Sequence, residues 1–117
     1  MKYLVTDDSK LARLSLIKSL KTHVGDADIY QAVNGQEAVD IVKEEKPDIV
    51  FLDLTMPVMD GYEALPLMIE EHPSIKVIVV SADVQERAKQ KVIELGAQMH
   101  MQKPINAEKM KDILEIL

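Results

Sequence analysis

Two wholly apolar runs stand out along the chain. Ile49-Val50-Phe51-Leu52 leads straight into Asp53, and Val77-Ile78-Val79-Val80 leads into Ser81. Runs of that length, bounded by turn residues, read as strands buried on both faces of a sheet. Tyr3-Leu4-Val5, ending at Thr6-Asp7-Asp8-Ser9, makes a third such strand. Ile29-Tyr30-Gln31-Ala32 is a weaker one. Residues 98–102 supply a fifth, in which Met99 and Met101 alternate with His100.

The intervening segments have helical spacing. Residues 10–22 follow Asp8 or Ser9 as the cap and stop ahead of Gly25. Their apolar positions form two stripes, one of Leu11, Leu14 and Ile17 and one of Ala12, Leu16 and Leu20. Asn34-Gly35 has the look of a hairpin turn. Residues 37–45 are helical in spacing, however, with Ala38, Ile41 and Val42 on one face, so Asn34 is read as an N-cap and Pro47 as the stop. After Asp60-Gly61 a helix carries Leu65, Met68 and Ile69. Pro66 falls within it and predicts a late start or a kink, since proline removes a backbone bond inside a helix. Residues 83–95 turn Ala88, Val92 and Leu95 inward and end at Gly96; residues 107–117 do the same with Met110, Ile113, Leu114 and Leu117.

Strand and helix therefore alternate five times with short connections. Parallel strands need crossover connections, so this order predicts an α/β fold, a five-stranded parallel sheet with helices on both faces, in one domain spanning residues 1–117.

Composition narrows the function. A formal charge of −6 argues against a nucleic-acid surface, which needs concentrated Lys and Arg. The absence of cysteine excludes disulfide scaffolds and thiolate sites. No apolar run approaches the roughly 20 residues of a membrane span, and acids follow the first strand too soon for a secretory leader. A soluble, cytoplasmic protein that binds neither DNA nor membrane is expected.

The chemistry lies at the carboxyl ends of the strands, which a parallel sheet brings to one edge. Asp7 and Asp8 end the first strand, Asp53 the third, Ser81 the fourth and Lys103 the fifth. Taken singly, each has a plainer reading: Asp7-Asp8-Ser9 and Ser81 as helix caps, Asp53 as a turn former, Lys103 as an exposed strand end. Their equivalent placement makes coincidence the poorer account. Three clustered carboxylates stay ionised at neutral pH only around a cation, and an all-oxygen set suits a hard ion, Mg²⁺ over Ca²⁺. Lys103 and the Ser81 hydroxyl could hold a phosphoryl group, and Asp53 becomes a candidate nucleophile toward phosphorus.

At this point the chain resembles the receiver domain of bacterial response regulators, the phosphoacceptor module of two-component signalling. The resemblance rests on Thr6-Asp7-Asp8-Ser9, Asn34-Gly35-Gln36-Glu37-Ala38, Pro47-Asp48, the stretch from Asp53-Leu54-Thr55-Met56-Pro57 through Asp60-Gly61, Ser81-Ala82, Gly96-Ala97 and Lys103-Pro104. It implies a flavodoxin-like (βα)5 sheet of order 2-1-3-4-5. It also implies that Asp53 accepts a phosphoryl group from the phosphohistidine of a histidine kinase or phosphotransfer protein. Asp8, Asp53 and the main-chain carbonyl of Thr55 would ligate Mg²⁺, with Asp7 acting through water. Lys103 would be the phosphoryl counter-ion, its bond to Pro104 cis. Ser81 would close onto the phosphate, Ala82 leaving room, and Thr55 and Asp83 would tune the lifetime of the phosphoryl group.

One position departs from the pattern. Where receivers carry Tyr or Phe as an inward-swinging switch, this chain has His100. A histidine titrates near neutral pH, so a pH-sensitive switch is one reading and a tolerated exposed substitution on the same surface the plainer one. The second apolar stripe of the first helix is either extra core or a docking face for the kinase, which the exposure of Leu11 and Leu14 decides.

Other classes fit less well. An aspartyl-nucleophile phosphatase wants a second Asp where Thr55 stands, and a dinucleotide fold wants a Gly-rich loop after the first strand. The remaining alternative is a degenerate receiver acting as a phosphorylation-independent protein-binding module. With the chain ending after its fifth helix, output is expected through a downstream protein target, at the face of the fourth helix, fifth strand and fifth helix. No turnover activity is expected beyond self-catalysed phosphorylation and dephosphorylation. A monomer is expected, with dimerisation on phosphorylation left open.

Overall fold

The computed structural model describes residues 1–82 and 85–117. Five parallel strands, β1 (Lys2–Thr6), β2 (Asp28–Ala32), β3 (Ile49–Leu52), β4 (Lys76–Ser81) and β5 (Met99–Gln102), form one sheet in the order β2-β1-β3-β4-β5. The helices are α1 (Lys10–Val24), α2 (Gly35–Glu45), α3 (Gly61–Glu71), α4 (Glu86–Glu94) and α5 (Ala107–Ile116). This is the flavodoxin-like architecture and strand order expected.

Alternation along the strands divides the core in two. Leu4, Val50, Leu52, Val77 and Val79 point to one face, where Val39 and Val42 of α2, Leu65 and Met68 of α3 and Val92 of α4 cover them. Tyr3, Val5, Phe51, Ile78 and Val80 point to the other, against Ile17 and Leu20 of α1 and Met110 and Ile113 of α5. Strands β1, β3 and β4 are consequently buried on both faces, which is why they read as unbroken apolar runs. At the two edges β2 and β5 are only half-buried. None of the helices described is long and apolar enough to cross a membrane.

Four of the five helix starts are capped by side chains, Ser9 and Asn34 as the sequence predicts and Asp60 and Asn106 in addition; Gln85, ahead of α4, makes no such bond. Ser9 Oγ accepts from the Ala12 N–H, Asn34 Oδ1 from Glu37, Asp60 Oδ1 from Glu63 and Asn106 Oδ1 from Lys109. Pro66 corrects one expectation. α3 starts at Gly61, directly after its Asp60 cap, and runs unbroken through Pro66, so there is no late start. The flanking Leu65 and Met68 are fully buried, and their packing outweighs the missing backbone bond. Helix α1 decides between the two readings of its apolar stripes, since Leu11 and Leu14 are not extra core. Ile17 and Leu20 are buried and Leu16 partly so, whereas Leu11 is 81% and Leu14 47% exposed. The inward face is completed by Arg13.

Candidate functional site

At the carboxyl edge of the sheet, β1 and β3 lie side by side, and the Asp53 N–H donates to the Thr6 carbonyl at 3.0 Å. That bond brings the two acidic strand ends into register. Asp7 and Asp53 are buried, while Asp8 is exposed at the rim. One carboxylate oxygen from each of Asp7, Asp8 and Asp53 lies within 4.8 Å of the others. From the far side of the sheet, β5 delivers Lys103, whose Nζ lies 2.6 Å from Asp7 Oδ2 and 3.3 Å from Asp53 Oδ1. The expected cis bond joins Lys103 to Pro104.

The carboxylates are not equivalent. Asp7 is fully engaged: Oδ1 accepts from the Ser9 N–H at 2.9 Å, and Oδ2 accepts from Lys103. Asp8 has no hydrogen bond to its carboxylate among the described residues. Burial pushes the Asp53 carboxyl above the usual carboxylate range and the Asp7 charge adds to this, against the opposing pull of Lys103. For Lys103, burial favours the neutral amine, but the Asp7 hydrogen bond and the charges of Asp53 and Asp7 outweigh it and hold the ammonium above the ordinary lysine value. Three carboxylates face one ammonium, so the pocket carries excess negative charge. Its all-oxygen donors, one of them open to solvent, fit a hard divalent cation.

The loop after Asp53 is pinned at both ends. The Gly61 N–H donates to the Leu54 carbonyl and the Gly35 N–H to the Met59 carbonyl, each at 2.9 Å. Neither glycine has room for a side chain. A Cβ on Gly61 would strike the Asp53 carbonyl, and one on Gly35 the Met59 carbonyl. Thr55 is exposed on this loop. Asn34-Gly35, at first sight a turn, is thus where α2 abuts the loop after Asp53.

Ser81 is buried at the end of β4, and its carbonyl accepts from the Lys103 N–H at 2.9 Å. Asp83 lies outside the described residues, as does the predicted start of the fourth helix at that residue. His100 sits in β5 opposite Val79 and is half-buried, with both ring nitrogens shielded from solvent. That differs from an exposed surface histidine: its partner Val79 faces the side of the sheet that α4 covers through Val92. Arg13 was not anticipated. Its Nη1 donates to the Asp7 carbonyl at 2.9 Å and its Nε to Gln31 Oε1 at 3.0 Å. Its signal was present in the spacing, since Arg13, Ile17 and Leu20 follow i, i+4, i+7 and share a face.

A sheet edge that gathers acids from two strand ends and a lysine from a third defines a class. The family model of the response regulator receiver domain matches residues 3–115, and the chain belongs to that family. It is 42% identical over 118 residues to the chemotaxis protein CheY of Listeria monocytogenes, across 98% of this chain and 96% of that protein. To the sporulation initiation phosphotransferase F of Bacillus subtilis it is 40% identical over 86 residues, 74% of this chain and 69% of that one. Among solved structures, the CheX-CheY-BeF3-Mg complex from Borrelia burgdorferi superimposes with a TM-score of 0.91 at 28% identity, covering 99% of this chain and 88% of that chain.

Proposed function

We propose that this receiver takes a phosphoryl group on Asp53 from the phosphohistidine of a histidine kinase or phosphotransfer protein, in a chemotaxis-type phosphorelay. A carboxylate oxygen of Asp53 forms the bond to phosphorus as the donor's N–P bond breaks, and the imidazole nitrogen takes a proton. The observation that carries this reading is the ammonium of Lys103 held between Asp7 and Asp53, on an edge with three converging carboxylates. A buried carboxylate raised toward protonation is a poor resident but a usable nucleophile once its charge is compensated.

Asp8, Asp53 and the Thr55 carbonyl would hold Mg²⁺, and Asp7, both of whose oxygens are already engaged, suits contact through water. The bound ion supplies neutralisation of charge on the phosphoryl oxygens. Lys103 is the fixed counter-ion on the other side. Ser81 offers the hydroxyl that closes onto the phosphoryl group, and His100, on the neighbouring strand β5, passes the change to the face of α4, β5 and α5. That face then meets a downstream protein target. Thr55 and Asp83 set how long the phosphoryl group lasts. The protein promotes its own phosphorylation and dephosphorylation and turns over no separate substrate. Exposed Leu11 and Leu14, near the start of α1, give the donor an apolar face to dock on.

Incubation with Mg²⁺ and acetyl phosphate, followed by intact-mass measurement, tests the reading. Wild type gains one acid-labile phosphoryl group and Asp53→Asn gains none. Absence of uptake by wild type would favour a phosphorylation-independent binding module.

A further inference from the structure

Arg13 is the only buried cationic residue among those described. A guanidinium removed from water is costly unless an opposite charge faces it. Among the described residues it has no ion pair; its partners are the Asp7 carbonyl and the side-chain oxygen of Gln31. Both partners are neutral oxygens, and one of them is the backbone of a member of the acidic cluster.

What this contact does follows from Asp8. Every polar atom of Asp7 is held: its N–H donates to the Ala32 carbonyl at 3.1 Å, its two carboxylate oxygens are engaged by Ser9 and Lys103, and its carbonyl takes Arg13. Asp8 has no such support, so its carboxylate is aimed by the backbone alone. The Asp7 carbonyl and the Asp8 nitrogen belong to one planar peptide. Fixing that carbonyl fixes the plane from which Asp8 departs.

Resting on the phosphoacceptor reading above, we infer that Arg13 is a positioning residue. It grips the Asp7 carbonyl from α1 and braces against Gln31 on β2, and so holds the Asp8 carboxylate toward the cation. Support of this kind fixes metal ligands from behind. It also opposes a simple charge effect, because a guanidinium beside a cation site repels the cation. Geometry and charge thus predict opposite signs when Arg13 is removed. Lysine separates them further, since a single ammonium keeps the charge but cannot reproduce the two-point grip of a guanidinium.

The test titrates MgCl₂ calorimetrically into the full, unphosphorylated chain as wild type, Arg13→Lys, Arg13→Met and Gln31→Leu. Both Arg13 variants should bind Mg²⁺ about 10-fold more weakly, the low end for loss of a residue supporting a metal ligand. Gln31→Leu should show a smaller loss. In acetyl phosphate reactions the half-saturating Mg²⁺ concentration should rise while the rate at saturating Mg²⁺ is retained, a split that general loosening of the fold would not produce. Wild-type affinity in Arg13→Lys, or tighter binding in Arg13→Met, overturns the inference. If the Arg13 variants do not fold, Gln31→Leu decides, since unchanged Mg²⁺ affinity in that variant overturns it equally. A wild type that neither binds Mg²⁺ nor takes up phosphate overturns the phosphoacceptor reading and this inference together. A competent wild type beside unaltered variants overturns the inference alone.

Discussion

Strands β3 and β5 both end at the same edge and each hands it one charged group, yet they are built differently. β3 is buried throughout, and the Asp53 side chain it presents is 9% exposed. β5 lies at the sheet margin, half-buried, and its Lys103 is 29% exposed. One strand holds its group in dry, close-packed surroundings; the other leaves its group in reach of water. On the reading proposed above, an acceptor atom must stay where an incoming phosphorus can find it, so its strand belongs at the centre. A counter-ion on a long flexible stem would follow the charge, so an edge strand would serve.

The largest expected effect tests the unequal anchoring directly. Phe51→Ala removes a fully buried ring from β3 and should cost about 3–5 kcal/mol, against roughly 1–2 kcal/mol for Met101→Ala on β5. Equal losses in urea unfolding would break the contrast. Next comes Gly61→Ala, whose added methyl meets the Asp53 carbonyl. It should destabilise by about 1–3 kcal/mol and slow phosphoryl uptake, because the backbone beside the acceptor must move.

The smallest effect sharpens the comparison electrostatically. Burial and Asp7 raise the Asp53 pKa above its ordinary value of 3.8. The folded protein therefore holds a proton there that the unfolded chain has released, so in EDTA stability falls as pH climbs from 3.8 to the raised folded value. Above that value the whole penalty is present. Asp53→Asn should raise the melting temperature in EDTA at pH 7 and flatten the pH dependence in that window. A variant that melts below wild type would show that Lys103 already compensates the charge.

Much of this was legible before any coordinates. Asp7, Asp8, Asp53, Ser81 and Lys103 could be placed together because a parallel sheet sends every strand end to one edge, and an apolar run marks where a strand stops. The pattern was less informative where packing overrides it. Pro66 predicted a late start or a kink, yet α3 begins at Gly61 and two buried neighbours sustain it. Leu11 and Leu14 read either as core or as a docking face; they face outward while Arg13 faces in. Hydrophobicity ranks side chains by type, and Arg13 is inside because of a partner contributed by another element. The glycines were half legible. Gly35 read as half of a turn-like Asn-Gly pair and Gly61 as half of the pair ahead of a helix, but the need for a bare Cα comes from Met59 and Asp53 across space.

Those two glycines have a mechanical consequence. The segment from Asp53 to Asp60 is closed at its own start by Gly61, through Leu54, and fastened to α2 through Gly35, with no room for a side chain at either contact. The loop that carries Asp53 is thus closed on itself and against α2 by two backbone contacts, and each can form only because a residue with no side chain stands there.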